Sequence, residues 1–404
     1  MTRKKVLLLG GSSFQVPSVQ TAKRMGYYAI TCDYLPNNPG HRFADEYHNV
    51  STTDKQAVLE LAKKLKIDGI VCYASDPAAP TAAFVAQEMG LAGQPYNSVE
   101  ILSNKDKFRE FLTQNNFYVP RARGFFRIEE ALNDFHNFAL PVMVKPVDSS
   151  GSKGVSKIET REQLKNAAEY ALGFSRVKRF IIEEYVEKEG YQIAGDGFSV
   201  NGKLVFRCFA NEHFENSRVN PFVPVGESFP YNKANEIHDR IHHEIQRLLT
   251  LLNMGTGAYN FDIRLNKKGQ VVLMEVAPRN GGNLIAQVTK YATGIDMVEY
   301  TIKAAMGEDC SALQMTETKG FWSCYAVHSK NNGILREVQI DENFHKNNIV
   351  EFEMFFKSGE HVEAFTGSGG TIGIMILKFS SMDEMLYKMD NMNGFVKVII
   401  TPPR

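Results

Sequence analysis

Short apolar runs alternate with segments of helical spacing along the first hundred residues. The run Lys5–Leu9 ends at Gly10-Gly11 and is followed by Ser18–Met25, whose apolar positions recur as on one helix face. A second run ends at Asp33. Asp54–Leu65 again has helical spacing with Asp54 placed to cap it, and a third run, Ile67–Tyr73, leads into a helix over Ala79–Met89. Such alternation predicts a doubly wound parallel sheet, an α/β architecture that binds ligands beyond the carboxyl ends of its strands.

Past Leu102 the pattern changes. A helix over Ser103–Thr113 precedes extended runs at Pro141–Pro146, Gly154–Ile158, Phe180–Val186 and Gly197–Phe209, parted by Gly, Asn and Asp. This suits an α+β region of antiparallel sheets with interleaved helices. Asn211–Tyr231 has no clear period and reads as a loop. Asn235–Asn253 reads as one long helix, and Gly257–Leu265 with Gln270–Val276 as a hairpin turning on Asn266-Lys267-Lys268-Gly269. From Gly320 strands return, with a Gly-rich turn at Gly367–Gly370 and a helix near Met382–Met389. No segment is linker-like, so the units are expected to pack on one another.

With 404 residues, 43% of them apolar, the chain exceeds one compact core, and two or three units are expected. Lys and Arg total 46, as do Asp and Glu; a general nucleic-acid binder would show a basic excess instead. Cys32, Cys72, Cys208, Cys310 and Cys324 are scattered without a CxxC pair and read as reduced buried thiols. The first apolar run is too short for a signal peptide, and no stretch reaches the ~18 apolar residues of a membrane span. These features predict a cytoplasmic protein with neither membrane nor nucleic acid as a partner.

Candidate chemistry begins at Val144-Lys145-Pro146, where a lysine inside an apolar run is costly unless its ammonium reaches water or an anion. The following segment, Asp148-Ser149-Ser150-Gly151-Ser152-Lys153-Gly154, can turn several backbone N–H groups toward one phosphate. A hairpin turn beside a snorkelling lysine would leave the same residues, so the two features gain weight only together. Ser103 with Asp106 resembles a capping box, placing Lys105 in a first helical turn, where a cation opposes the helix dipole and a bound anion would account for it.

In the hairpin, Asn260, Asp262 and Arg264 share a face of one strand, and Leu273 and Glu275 a face of the other. If Leu265 pairs with Gln270, Asp262 and Glu275 are diagonal neighbours with Cβ atoms about 7–8 Å apart. Two carboxylates converging there repel unless a cation lies between them. Hard oxygen ligands favour Mg²⁺, with Mn²⁺ as the alternative, shared with nucleotide phosphates. Surface acids neutralised by Arg264 and Lys267 would be the plainer outcome. Arg279-Asn280-Gly281-Gly282 follows at once, an arginine beside two glycines that can grip a carboxylate or phosphoryl group bidentately.

Taken in order, NKDKFREFL, PVMVKPVDSSGSKGV, FIIEEYVE, GAYNFDIRL and VLMEVAPRNGGN form a set that resembles the ATP-grasp superfamily of carboxylate–amine ligases over nearly the whole chain. The opening GGSSFQVPSVQTAKRMGYYAITCD is similar to the lobe preceding the grasp in ligases of purine, peptide and amino-acid metabolism. The resemblance implies a pre-ATP-grasp domain over 1–104, an ATP-grasp domain over 105–310 with a lid lobe at about 120–186, and the remainder of the large lobe over 311–404. It implies ATP phosphates held by Lys105 and Lys145 beneath a lid of Ser149, Ser150, Gly151, Ser152 and Gly154. Glu183, Glu184 and Val186 would form the adenine hinge, with Glu187 or Asp196 near the ribose. Asp262 and Glu275 would hold Mg²⁺, and Arg279 would steady an acyl-phosphate. Asn280, Gly281 and Gly282 would lie at the substrate, with Arg218 reaching it from the 211–231 segment. Many relatives have Asn two positions after the metal-binding Glu; this chain has Ala277, which puts the second metal in question.

The implied activity is that of an ADP-forming ligase, activating a small-molecule carboxylate as an acyl-phosphate for attack by an amine, with amino acids as one substrate class. The competing expectations are a bicarbonate-activating carboxylase component and a nucleotide-binding regulator with weakened catalysis. A homodimer is expected by analogy with look-alikes.

Overall fold

The computed structural model describes residues 3–215 and 221–402. β1 (Lys5–Leu9), β2 (Tyr28–Cys32), β3 (Glu46–His48) and β4 (Gly69–Cys72) form a wholly parallel sheet in the order β3-β2-β1-β4. Its strands read as continuous apolar runs because helices cover both faces. Val6 and Leu8 pack with Val19 and Ala22 of the helix Val16–Arg24, while Leu7 and Leu9 pack with Val58 and Ala62 of the helix Lys55–Leu65. Asp54 caps the latter helix, accepting the Ala57 N–H at 3.0 Å.

β5 (Ala122–Phe125), β6 (Val142–Pro146), β7 (Ser156–Ile158) and β8 (Phe180–Glu184) form an antiparallel sheet, ordered β5-β8-β6-β7. Helices Ile128–Asp134 and Leu164–Phe174 pack on it. β9 (Gln192–Val200), β10 (Lys203–Phe214), β11 (Pro224–Phe229), β12 (Gly257–Leu265) and β13 (Val271–Ala277) lie in one large antiparallel sheet. They are followed by β14 (Phe321–His328), β15 (Gly333–Ile340), β16 (Ile349–Met354), β17 (His361–Val362), β18 (Thr371–Phe379) and β19 (Val396–Thr401). The large sheet runs β13-β12-β9-β10-β11-β14-β18-β16, and β17-β15-β19 form a small sheet beside it. No helix among the described residues is long and apolar enough to cross a membrane.

Three elements differ from the sequence expectation. The run Gly197–Phe209 is broken at Asn201-Gly202, two residues of positive φ (51° and 79°) that turn β9 into β10. The segment 211–231 contains strand at both ends, since β10 continues to Phe214 and β11 covers Pro224–Phe229. Its period was hidden because Asn211, Glu212, His213, Glu227 and Ser228 are polar yet buried. The helix expected from Ser103 starts at Lys105 with Asn104 as its cap and no side-chain cap bond; Asp106 instead ion-pairs with Arg179, so no capping box forms.

The long helix, Asn235–Leu251, buries Ile241, Ile245, Leu248 and Leu249 at helical spacing. They pack with Phe261, Ile263 and Leu265, one face of β12, and so leave Asn260, Asp262 and Arg264 on the other. Leu248 is fully enclosed in this layer. Leu248→Ala is expected to cost about 2–5 kcal/mol, read as a lower urea midpoint with an unchanged slope.

Candidate active site

Where the large sheet faces the β5–β8 sheet, a cavity of about 210 Å³ is lined by Lys105, Lys145, Ser149, Ser150, Gly151, Ser152, Asp262, Glu275 and Arg279. A neighbouring cavity of about 330 Å³ shares Asp76, Lys105, Ser149 and Glu275 with it.

Asp262 and Glu275 are directly opposite one another rather than diagonal. Leu265 pairs with Val271, not Gln270, which alone would send Glu275 to the wrong face. The register then shifts between Asp262 and Ile263, leaving Met274 without a partner on β12. This β-bulge turns Glu275 back toward Asp262. Arg109 of the helix Lys105–Gln114 fastens the bulge, its guanidinium donating to the carbonyls of Leu273 at 3.2 Å and Met274 at 2.9 Å. Arg109 Nε donates to Glu183 Oε2 at 2.9 Å, and the other Glu183 oxygen receives the Lys145 ammonium.

The charges follow from this packing. Burial alone would raise the Glu183 carboxyl, but Arg109 and Lys145 reverse that and hold it at about 2. Burial, aided by Arg109 and Arg264 and opposed by Glu183, draws Lys145 below the usual lysine value. Burial pushes Asp262 up to about 6, with Glu275 adding repulsion against the partial relief from Arg264. Asp262 Oδ1 is enclosed without a hydrogen-bond partner. Glu275 would also be raised by burial, yet Lys105 and Arg279 keep it below the ordinary range. Lys105 Nζ lies 3.2 Å from Glu275 Oε2 and donates to the Ser149 carbonyl at 3.0 Å.

The lid residues sit at the cavity mouth. Ser149 Oγ donates to the Lys153 carbonyl and Ser152 Oγ to the Phe222 carbonyl. Gly154 has φ 74°, and a Cβ there would lie 2.7 Å from Pro146 Cγ, so the loop's return depends on glycine. Arg279 is fixed by Asp76, which accepts from Nε at 2.7 Å and from the terminal nitrogen at 2.5 Å. Arg218 lies outside the described residues.

Other expected residues are placed differently. The Glu183 side chain is sealed between Arg109 and Lys145. Glu184 accepts the Ala139 N–H at 2.8 Å, and the Val186 carbonyl accepts from Arg264 at 2.9 Å. Glu187 is exposed and pairs with Lys267. Asp196 is fully buried; it accepts the Gly281 N–H at 2.9 Å and Asn260 Nδ2 at 2.9 Å. That contact requires glycine at 281, where a Cβ would stand 2.8 Å from Asn260 Nδ2 and 2.5 Å from Ile285 Cδ1. Asn280 is likewise fully buried, its Oδ1 accepting from Thr301, so it does not replace the missing Asn at 277. Gly282 is partly exposed with open space around it.

Asp76 and Arg109 are the working residues that the sequence reading passed over. Asp76 follows β4 at the carboxyl end of a parallel strand, where the architecture itself places ligand sites. Arg109 sits beside Phe108 on the buried side of its helix, a polar residue at an apolar position.

Comparison with known proteins accords with this geometry. The ATP-grasp domain model matches residues 138–288. Residues 138–288 therefore carry an ATP-grasp domain. It is 28% identical over 276 residues to an uncharacterized protein of Sinorhizobium fredii, covering 66% of this chain and only 55% of that protein. It therefore spans about half the length of that relative. Over 402 residues it is 22% identical to a formate-dependent phosphoribosylglycinamide formyltransferase of Prochlorococcus marinus, with 98% of each covered. The ATP-grasp fold also matches the crystal structure of an L-amino acid ligase from Bacillus licheniformis, with TM-score 0.80 at 19% identity over 99% of this chain and 100% of that one.

Two outcomes are expected of the ATP-grasp clamp. Arg109→Met leaves a buried Glu183 short of one cation and frees the bulge, and should cost about 3–5 kcal/mol in urea unfolding. The Glu183 carboxyl is held below its ordinary value of 4.5, so its stabilising contribution is complete above pH 4.5 and is lost as pH falls toward 2. Glu183→Gln should therefore show a flatter dependence of Tm on pH across that window than wild type.

Proposed function

We propose that the chain is an ADP-forming ligase that activates a small-molecule carboxylate with ATP and couples it to an amine. The observation that carries this reading is the Asp262–Glu275 pair, set face to face by a clamped bulge in the cavity that Lys105, Lys145, the Gly/Ser loop and Arg279 also line.

The acid pair fits a divalent cation. Asp262 Oδ1 is buried without a partner, and Glu275 faces it across the strands. Among the described residues no group of three or more His, Cys, Asp or Glu side chains closes a metal site. Two carboxylates completed by phosphate oxygens and water suit Mg²⁺. When bound, Mg²⁺ supplies neutralisation of charge on the transferring phosphoryl group.

The chain's own residues do the rest. Lys105 and Lys145 neutralise the polyphosphate, and the Ser149–Gly154 loop shields it from water, which would otherwise hydrolyse the activated carboxylate. The backbone at Glu184–Val186 borders the base. Arg279, oriented by Asp76, holds the carboxylate in line with the γ-phosphate. The carboxylate oxygen attacks phosphorus as the bond to ADP breaks; the amine then attacks the acyl carbon and phosphate leaves. The Bacillus licheniformis protein of the same fold is named an L-amino acid ligase, and this supports amino acids as the first substrate class.

The test is phosphate release from MgATP with pooled amino acids and small organic acids, then with bicarbonate alone. Release requiring both a carboxylate and an amine is expected, with Asp262→Asn and Glu275→Gln each at least ~10²-fold slower at an unchanged Tm. Near-wild-type turnover in either variant would remove the metal assignment, and release driven by bicarbonate alone would favour the carboxylase reading.

A further inference from the structure

The acidic face of the cavity does not end at the metal pair. On the same face of the sheet, Glu212 of β10 and Glu227 of β11 are paired in register, and both line the cavity with Lys145, Asp262 and Arg279. Both are more than nine-tenths buried, at 8% and 6% exposure.

Their surroundings differ. Glu212 Oε2 accepts Gln192 Nε2 at 2.6 Å. Glu227 Oε2 is enclosed without any hydrogen-bond partner, and no ion pair reaches Glu227 among the described residues. The neighbouring cations are committed elsewhere: Lys145 to Glu183, Arg279 to Asp76, and Arg264 to Gln192 and the Val186 carbonyl. Burial, with Glu212, Asp196 and Asp262 adding repulsion, drives the Glu227 carboxyl well above the ordinary range. A buried acceptor left in this state is unfavourable unless a ligand brings both a donor and a positive charge.

That requirement narrows the ligand. Phosphate, carboxylate and bicarbonate would be repelled. A primary ammonium carries one positive charge and three donors, enough for Glu227, Glu212 and a further acceptor at once. We propose that Glu227, seconded by Glu212, binds the ammonium group of the amine substrate and takes from it the proton that must leave before the nitrogen lone pair can attack. This rests on the ligase reading above and restricts it to amines that arrive charged, such as α-amino acids.

The experiment uses the full chain, MgATP and the protein amino acids. Hydroxylamine, largely uncharged at neutral pH, traps an acyl-phosphate as a hydroxamate and so reports the ligase step without an ammonium substrate. Once that step is established, the active amine is titrated against wild type, Glu227→Gln and Glu227→Asp. The KM for the amine is expected to rise at least ~tenfold in Glu227→Gln, while MgATP affinity by calorimetry moves less than ~twofold. Glu227→Asp, which keeps the charge, should recover part of the loss. Glu227→Gln should also unfold no more readily than wild type, because the amide is nearly isosteric and carries no charge to desolvate. An unchanged amine KM with hydroxamate formation intact would overturn the ammonium site and leave the ligase standing. Absence of hydroxamate with every carboxylate would overturn the ligase reading, and this inference with it.

Discussion

The Arg109 guanidinium lies between the Leu273 and Met274 carbonyls on one side and the Glu183 carboxylate on the other. The contacts join different parts of the chain: the helix Lys105–Gln114, the bulged strand β13, and β8, an inner strand of the β5–β8 sheet. A guanidinium suits this place because its planar fork satisfies three acceptors in fixed directions, which a lysine ammonium would not do. Removing it would release the bulge that aims Glu275 and unbalance the carboxylate that holds Lys145. The Asp262–Glu275 pair and Lys145 are thus positioned through one buried cation.

The same economy of charge runs through the cavity. Lys105 is paired with Glu275, Lys145 with Glu183, and Arg279 with Asp76. Each cation is held by an acid from a distant segment, so its direction is set before any anion is met, and binding reorganises partners instead of ordering loose side chains. Asp262 and Glu227 stand outside this pairing, each with an enclosed oxygen that no donor reaches. They lie on the large-sheet side of the cavity, whereas Lys105, Lys145 and Lys153 approach from the helix and smaller-sheet side. An ammonium would accordingly be drawn to the acidic wall rather than toward the lysines.

How far this could be read from the residues depends on the range of the interaction. The parallel sheet was legible because its strands are apolar throughout and separated by helical spacing. Asp262 was legible because Phe261, Ile263 and Leu265 alternate with it and point to a packed face. The bulge was not, since nothing in Leu273-Met274-Glu275 marks which residue will lose its partner; Arg109, more than 160 residues away in sequence, decides it. The burial of Asp196 is a related case. The residue lies on the same face of β9 as Ala194, which lines the cavity, but two positions further along the Arg279–Gly282 turn covers it. Asp76 pairs with Arg279 across 203 positions, a separation at which periodicity is silent.

The alanine at 277 has its explanation in the same long-range contacts. Ala277 is opposite Asn260 on β12, and the Asn260 amide is spent on Asp196 Oδ1 and the Gly195 carbonyl. Asn280 is turned inward to Thr301. Asp262 and Glu275 remain the two carboxylates that face one another across these strands, with Asn260 lining the same cavity. A hard cation held by two carboxylates needs several more oxygens, and the polyphosphate is the natural source of them. Metal and nucleotide are then bound as one unit, each incomplete without the other. An alanine at 277 thus leaves the facing carboxylate pair in place.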